Sequence, residues 1–265
     1  MSMPAFALVL TAAGSSLRFN EAVSGGETVK KEFLKIDGHS VLYRAAAPFF
    51  TLPNLAAVVV TCKEGCEDEA IVAMEDLADI STIPMLFIKG GQTRQESVHL
   101  ALESLARLDV PFSLVAVHDG ARPYVSQELI IRTLALAFTH SAAIPALAVT
   151  DSVRRIDRSG KIVEVVDRKG LVRVQTPQIF DFQALLEAHR LMDGMQAGDD
   201  AEVMIAAGGE VYVTQGEEEN IKITHEGDIP DARAQIAQYL EERRKGREER
   251  EHGELFRRLL NGGEA

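Results

Sequence analysis

The chain has 265 residues, 46% of them hydrophobic, enough to bury a sizeable core in one large domain or slightly more. A net charge of −12 with no strongly basic block argues against a generic nucleic-acid binder, so cations that meet an anionic ligand must cluster locally against the global sign. The opening MSMPA lacks a basic region, and the apolar run behind it is too short for a secretion signal or a membrane span, which points to a cytoplasmic protein.

The first predicted strand is AFALVL, residues 5–10. Continuous apolar runs of this length mark strands buried on both faces of a parallel sheet. They recur at LAAVVVTC (55–62), PMLFIK (84–89), FSLVAV (112–117) and AAIPALAV (142–149). Amphipathic stretches alternate with them: SVLYRAAAPFF, EDEAIVAMEDLADI, RQESVHLALESLARL and QELIIRTLALAFTH. The third of these places Val98, Ala101, Leu102, Leu105 and Leu108 on one helical face. Such alternation predicts an α/β fold, a doubly wound Rossmann-like and mostly parallel sheet. Cys62 and Cys66, in TCKEGC, are half a metal site that no second pair or nearby histidine completes, so they read as two reduced thiols.

Two segments break the rhythm. KIVEVVDRKGLVRVQTP (161–177) reads as two short strands joined at DRKG, a projecting β-hairpin arm that serves as a lid or a dimer contact. YLEERRKGREEREHGELFRRLLNGGEA alternates in charge sign and predicts a solvated helix fraying into a tail, with Phe256, Leu259 and Leu260 available for docking. The expected organisation is one domain over 1–240, carrying the arm at about 151–176, and a charged C-terminal helix and tail over 241–265.

Open α/β sheets bind ligands beyond the carboxyl ends of their strands. TAAGSSLRF follows the first strand; Ala12, Ala13 and Gly14 let backbone N–H groups approach an anion, and Arg18 adds a guanidinium fork. It is neither a Walker A loop nor G-x-G-x-x-G, and by itself it is equally a plain βα turn. GGQTRQESV brings Arg94 and Ser97 to the next such end, and HDGARP brings Asp119 and Arg122 to a third. Three strand ends with small residues and an arginine outweigh the plain-turn reading. His118 is expected to be structural rather than a proton carrier.

AAGSSLR, KKEFL, GGQTRQESV, VHDGARP, VTDS, VDRKGL, TPQIF and NIKIT occur in this order along the chain. In order and approximate spacing the chain resembles the 2-C-methyl-D-erythritol 4-phosphate cytidylyltransferases of non-mevalonate isoprenoid synthesis, to about residue 240. HDGARP followed by TPQ and NIKIT is the specific combination, whereas the first loop is shared by sugar nucleotidyltransferases generally. The resemblance implies CMP transfer from CTP to 2-C-methyl-D-erythritol 4-phosphate, giving 4-diphosphocytidyl-2-C-methyl-D-erythritol and pyrophosphate. It also implies Mg²⁺ or another divalent cation as cofactor and a homodimer joined through the β-arm.

By the same resemblance, Arg18, Lys31 and Lys222 carry catalysis, and Ala12, Ala13 and Gly14 wrap the triphosphate. Gly91, Gln92 and Ser97 hold cytosine and ribose, while Asp119, Gly120 and Ala121 meet the nucleotide. Arg122, Ser152, Arg168 and Thr176 bind the methylerythritol phosphate, with Arg168 supplied by the neighbouring subunit. The metal is held mainly by CTP phosphates, with Asp119 the side chain offered to it. The acceptor phosphate is already an oxyanion near neutral pH, with a second pKa of about 6, so no general base is required. Aligning two polyanions calls instead for Arg, Lys and Mg²⁺.

The chain departs from the family pattern in several places. Ser16 stands where a second small glycine is usual, Lys30 where a proline is, Glu32 where a glutamine is, and Gly198 where a threonine is common. Ser152 replaces a threonine and keeps the hydroxyl, and NEAVSGGETV (20–29) lengthens the first loop. Aligning KEFL with the family selects Lys31 as the site lysine and leaves Lys30 as an expected screened surface charge. Ribitol 5-phosphate or another polyol phosphate is the alternative acceptor, and a catalytically weak nucleotide-binding regulator is the reading of a different class.

Overall fold

The computed structural model describes residues 3–21, 29–232, 234–242 and 244–245. Its first half runs β1 (Phe6–Ala12), α1 (Leu17–Asn20), β2 (Lys35–Ile36), β3 (His39–Ser40), α2 (Val41–Phe50), β4 (Leu55–Cys62), α3 (Glu67–Asp79), β5 (Met85–Lys89) and α4 (Arg94–Leu105). It continues through β6 (Leu114–Asp119), α5 (Gln127–His140), β7 (Ala142–Ala148), β8 (Val153–Ile156), β9 (Ile162–Val166) and β10 (Val172–Val174). The remaining elements are β11 (Gln178–Asp181), α6 (Phe182–Leu191), α7 (Asp200–Ala206) and β12 (Tyr212–Gln215). None of the described helices is long and apolar enough to cross a membrane.

The sheet order is β10-β7-β11-β6-β1-β4-β5, with β12 on β7. β5, β4, β1, β6, β7 and β12 run one way, and only β11 and β10 oppose them. β1 lies between two parallel neighbours, which is why FALVLTA is buried along almost its whole length. Successive side chains leave it on opposite faces. Phe6, Leu8 and Leu10 pack with Phe49, Met74 and Leu134 of α2, α3 and α5. Ala7 and Val9 pack with Leu102, Leu186 and Met204 of α4, α6 and α7. Helices thus cover both faces, as the alternation of apolar runs predicts.

On α4, Val98, Ala101, Leu102 and Leu105 are buried as expected, but the helix stops at Leu105, and Leu108 joins the same core only partly buried from the turn beyond it.

The arm is built differently from the sequence expectation. β8 pairs with β9, Val153 opposite Val166 and Ile156 opposite Ile162, so the hairpin turns at 157–161 rather than at DRKG. The Asp157 carboxylate accepts the N–H groups of Ser159 and Lys161 at 2.8 and 3.1 Å, and Gly160 takes a φ of +84° that favours glycine. The segment after DRKG forms β10, which joins the main sheet beside β7 and leads into β11. Both turns carry Asp and Gly; the open edge of β7 decides which strand goes where. Ile156, Ile162, Val163 and Val165 of the hairpin remain more than half exposed.

Most of the expected tail over 241–265, including Phe256, Leu259 and Leu260, and the centre of the long first loop at 22–28 lie outside the described residues. The chain leaves β1 towards β4 and β5 on one side and reaches β6 on the other, so the crevice between those crossovers opens at the carboxyl ends of β1 and β6.

Candidate active site

A cleft of about 670 Å³ spans the carboxyl ends of β1, β4, β5 and β6. Ala13, Gly14 and Arg18 line it from the first loop, Gly91, Gln92 and Ser97 from the second, and Asp119, Ala121, Lys31 and Lys222 from the remaining walls. A second cavity of about 360 Å³ is lined by Arg122, Thr176, Gln175 and Asp199 and shares Arg94, Asp119 and Lys222 with the first.

The first loop leaves β1 at Ala12 and turns through Ser16, whose φ of +53° is one that glycine adopts more readily. The Ser16 hydroxyl donates to the Glu32 carboxylate at 3.3 Å, and α1 then presents Arg18. Lys30 is the clearest departure from expectation. It is 1% exposed, and its ammonium donates to the Ala12 carbonyl at 3.3 Å and to the Gly14 carbonyl. The expected surface charge is therefore a buried strut beneath the loop. The short turn Lys31–Phe33 aims the next lysine elsewhere: Lys31 donates to the Ile223 carbonyl and lines the cleft. Burial holds the Lys31 ammonium below the usual lysine range; Glu32 and Asp119 oppose it, and Lys222 and Arg18 add repulsion smaller than that opposition.

The second loop is set by its own caps. The Thr93 hydroxyl accepts the Glu96 N–H at 3.0 Å, and the Glu96 carboxylate accepts the Gln92 N–H at 2.6 Å. The Ser97 hydroxyl donates to the Thr93 carbonyl and accepts the Gly91 N–H at 3.0 Å, so it shapes the loop from within. A Cβ at Gly90 would stand 2.3 Å from the Ala13 Cβ, which shows how tightly the two loops are pressed together.

Asp119 ends β6 buried between the two cavities. Its carboxylate meets Lys222 Nζ at 2.9 Å, Arg122 Nε at 3.4 Å and Arg94 Nε at 3.7 Å. Burial alone would raise its pKa; Lys222, then Arg94 and Arg122, hold it far below the usual carboxylate range. Arg94 also reaches the buried Asp200 carboxylate at 2.8 Å, which in turn meets His189 Nε2 at 3.2 Å. Despite its burial, Arg94 is held above the usual arginine range by Asp200 and then Asp119.

Lys222 is brought in by the NIKIT segment, which is laced to HDGARP. Ile223 N–H donates to the Ala121 carbonyl at 2.8 Å, Arg122 Nη1 to the Asn220 carbonyl at 2.7 Å, and Asn220 Nδ2 to the Thr176 carbonyl at 2.8 Å. The Thr176 hydroxyl accepts the Asp119 N–H at 3.1 Å and lies 2.9 Å from His118 Nδ1. His118 Nε2 is 3.4 Å from the Arg122 carbonyl, so both ring nitrogens are engaged and burial pushes its pKa down to about 3. It is a neutral structural group, as read from the sequence.

Five expected site residues fall away from the cavities or act indirectly. Ala12 is buried and contributes its carbonyl to Lys30. Gly120 donates to the Thr11 carbonyl, and a Cβ there would come within 2.9 Å of Leu42 Cδ1. Ser97 is spent on the loop. Ser152 and Arg168 sit on the exposed arm and line neither cavity, and the Arg168 guanidinium donates to the Thr150 carbonyl. Conversely, Arg94 was visible in GGQTRQES without a role, while the parts played by Lys30, His189 and Asp200 had no local signal.

The divalent cation implied by the sequence resemblance has one fitting partner. Among the described residues, Asp119 Oδ1 has Thr11 Oγ1 at 3.4 Å and Arg94 Nε at 3.7 Å as its side-chain neighbours, and the carboxylate stays ionised. One carboxylate plus substrate phosphates is the usual Mg²⁺ environment. No cluster of three His, Cys, Asp or Glu side chains able to hold a metal alone occurs among the described residues.

Comparison with known proteins gives a consistent result. Residues 6–238 match the family model of 2-C-methyl-D-erythritol 4-phosphate cytidylyltransferase, IspD. The chain is 40% identical over 227 residues to the bifunctional enzyme IspD/IspF of Rhodospirillum rubrum, covering 86% of this chain and 56% of that protein. It thus spans about half the length of such bifunctional relatives. It is 37% identical to the 2-C-methyl-D-erythritol 4-phosphate cytidylyltransferase of Cereibacter sphaeroides, covering 87% of this chain and 96% of that one. Among solved structures, the 4-diphosphocytidyl-2C-methyl-D-erythritol synthase of Anaerococcus prevotii superposes with a TM-score of 0.70 at 25% identity, over 90% of this chain and 96% of that one.

The neutral His118 makes a pH prediction. Unfolded, its imidazole takes a proton near pH 6.5; folded, it does so only near about 3. Its contribution to stability is therefore complete above pH 6.5 and is lost as pH falls below it, by about 1.4 kcal/mol per unit. In denaturant unfolding, the wild type should lose about 2 kcal/mol more than His118→Gln between about pH 7 and about pH 5. Equal losses would mean that His118 is protonated within the fold.

Proposed function

The chain belongs to the 2-C-methyl-D-erythritol 4-phosphate cytidylyltransferase family, and from that premise we propose that it is a nucleotidyltransferase moving CMP from CTP to 2-C-methyl-D-erythritol 4-phosphate. The observation that carries this reading is the pair of cavities meeting at one wall of Asp119, Arg94 and Lys222. We assign the larger to CTP and the smaller to the acceptor phosphate.

In that arrangement an oxygen of the acceptor phosphate attacks the α-phosphorus of CTP. The new P–O bond forms as the bond to the departing pyrophosphate breaks, and no proton has to be removed. The acceptor phosphate is already largely ionised, with a second pKa of about 6, and His118 is neutral with both nitrogens engaged. Lys222, which lines both cavities, can reach the acceptor phosphate and the α-phosphate together. Arg18 and Lys31, which both line the larger cavity, meet the charge that builds on pyrophosphate, a preorganised field that costs no rearrangement during the reaction. A divalent cation held by Asp119 and the phosphates would supply further neutralisation of the triphosphate.

We further assign the arm to a homodimer contact. Its exposed Ile156, Ile162, Val163 and Val165 need a covering surface, since an isolated two-stranded hairpin is barely stable in water. Ser152 and Arg168 would then complete a neighbour's acceptor site. The catalytic unit is residues 1–240, and two water-soluble polyanionic substrates suit a cytoplasmic setting.

The decisive assay measures pyrophosphate release with CTP, Mg²⁺ and either methylerythritol phosphate or ribitol 5-phosphate. Methylerythritol phosphate should be the preferred acceptor; preference for ribitol would reassign the substrate, and CTP binding without release would make the protein a regulator. Arg122→Met should raise the acceptor KM at least about tenfold while changing the CTP KM by less than about threefold. An equal rise in both would place Arg122 at the nucleotide instead. Val165→Asp should yield a monomer in sedimentation with reduced turnover, and a fully active dimer would rule out the arm as the interface.

A further inference from the structure

Lys30 stands outside the cleft yet touches the loop that forms it. Its ammonium donates to the carbonyls of both Ala12 and Gly14, while Ala13, Gly14 and Ser15 line the cleft and Lys30 does not. A trans peptide holds its C=O and the following N–H in one plane pointing opposite ways. Turning the Ala12 and Gly14 carbonyls onto Lys30 therefore turns the N–H groups of Ala13 and Ser15 away from it. A row of backbone N–H groups presented to one side is an anion-binding concavity.

Three further observations support a positioning role over simple packing. Lys30 is 1% exposed, and no carboxylate pairs with it among the described residues, so the two carbonyls are its partners. A buried ammonium without a counter-ion is costly unless its donors are used, so the carbonyls are held firmly. Ala13 is also pressed against Gly90, which leaves the loop little room to relax. Ser16, at a φ of +53°, closes the same loop in a conformation that does not favour serine, and it too needs support from its surroundings.

We infer that Lys30 is a positioning residue for phosphate binding: a buried ammonium that turns two loop carbonyls inward and so aims the loop's N–H groups, together with its own charge, at the triphosphate of the nucleotide. This assignment rests on the nucleotide reading of the cleft. Lys30 touches no substrate itself, so its loss should weaken binding of the polyphosphate specifically, leaving the acceptor site, built around Arg122 and Thr176, intact.

The test compares wild type with Lys30→Met, which keeps the stem and removes the donors, and with Lys30→Gln, which retains one. Calorimetry with CTP, and competition by inorganic pyrophosphate, read the loop; the acceptor KM reads the rest of the site. The CTP Kd and the pyrophosphate Ki should both rise at least about tenfold in Lys30→Met, the size of one lost charge-assisted hydrogen bond, with Lys30→Gln intermediate. The acceptor KM should change by less than about threefold. Wild-type affinity for CTP and pyrophosphate in Lys30→Met would overturn the assignment, as would an equal loss for CTP and acceptor, which marks general structural damage. If Lys30→Met does not fold, Lys30→Gln decides by the same readings. Failure of the wild type to bind CTP would refute the nucleotide reading and is thereby distinguished from failure of Lys30 alone.

Discussion

One buried carboxylate organises this molecule. Asp119 has been taken out of water at the end of a central strand, and an isolated ion there would cost several kcal/mol. Lys222, Arg122 and Arg94 offset that cost, and in doing so each is fixed in place along the wall between two cavities. The attraction acts both ways: the carboxylate stays ionised far into acid, and the three cations are held close together despite their mutual repulsion. Because its pKa is depressed, its contribution to stability is present above the ordinary carboxylate range and is lost only as pH falls through and below it.

The consequences spread outward from that point. Arg94 is anchored a second time by Asp200, whose other oxygen meets His189, and this ties α4 to α6 and α7. Arg122 and Thr176 are laced to the segment that carries Lys222, so residues more than forty positions apart converge on β6. The first loop is fixed separately, by Lys30 below and Gly90 beside it. A protein of net charge −12 thereby concentrates Arg18, Lys31, Lys63, Lys89, Arg94 and Lys222 around one cleft, with Arg122 in the adjoining cavity, without becoming basic overall, a local field suited to polyanions.

Much of this was legible in the sequence because two simple rules apply. Strands buried on both faces read as unbroken apolar runs, so β1, β4, β5, β6 and β7 were found within a residue or two of their ends. Ligand groups of such sheets lie just past the strands, so TAAGSSLR, GGQTRQES and HDGARP marked the cleft. What was missed depended on partners far away in the chain. DRSG and DRKG carry the same turn chemistry, and only the edge of β7 settles that β10 leaves the arm for the main sheet. Lys30 beside Lys31 looked like surface charge, since nothing local shows that a single turn buries one under the loop and aims the other at the cleft. His189 and Asp200 become meaningful only once Arg94 is placed against them.

The central claim is that Asp119 arranges the cations of both cavities rather than serving only to hold a metal. Steady-state kinetics of Asp119→Asn across a wide range of Mg²⁺ concentration tests it most directly. The amide keeps the shape but removes the charge that Lys222, Arg122 and Arg94 share. Turnover should fall about a hundredfold or more, the KM of both substrates should rise, and saturating Mg²⁺ should not restore either. Recovery of wild-type turnover at high Mg²⁺, or a rise confined to one substrate, would contradict the account.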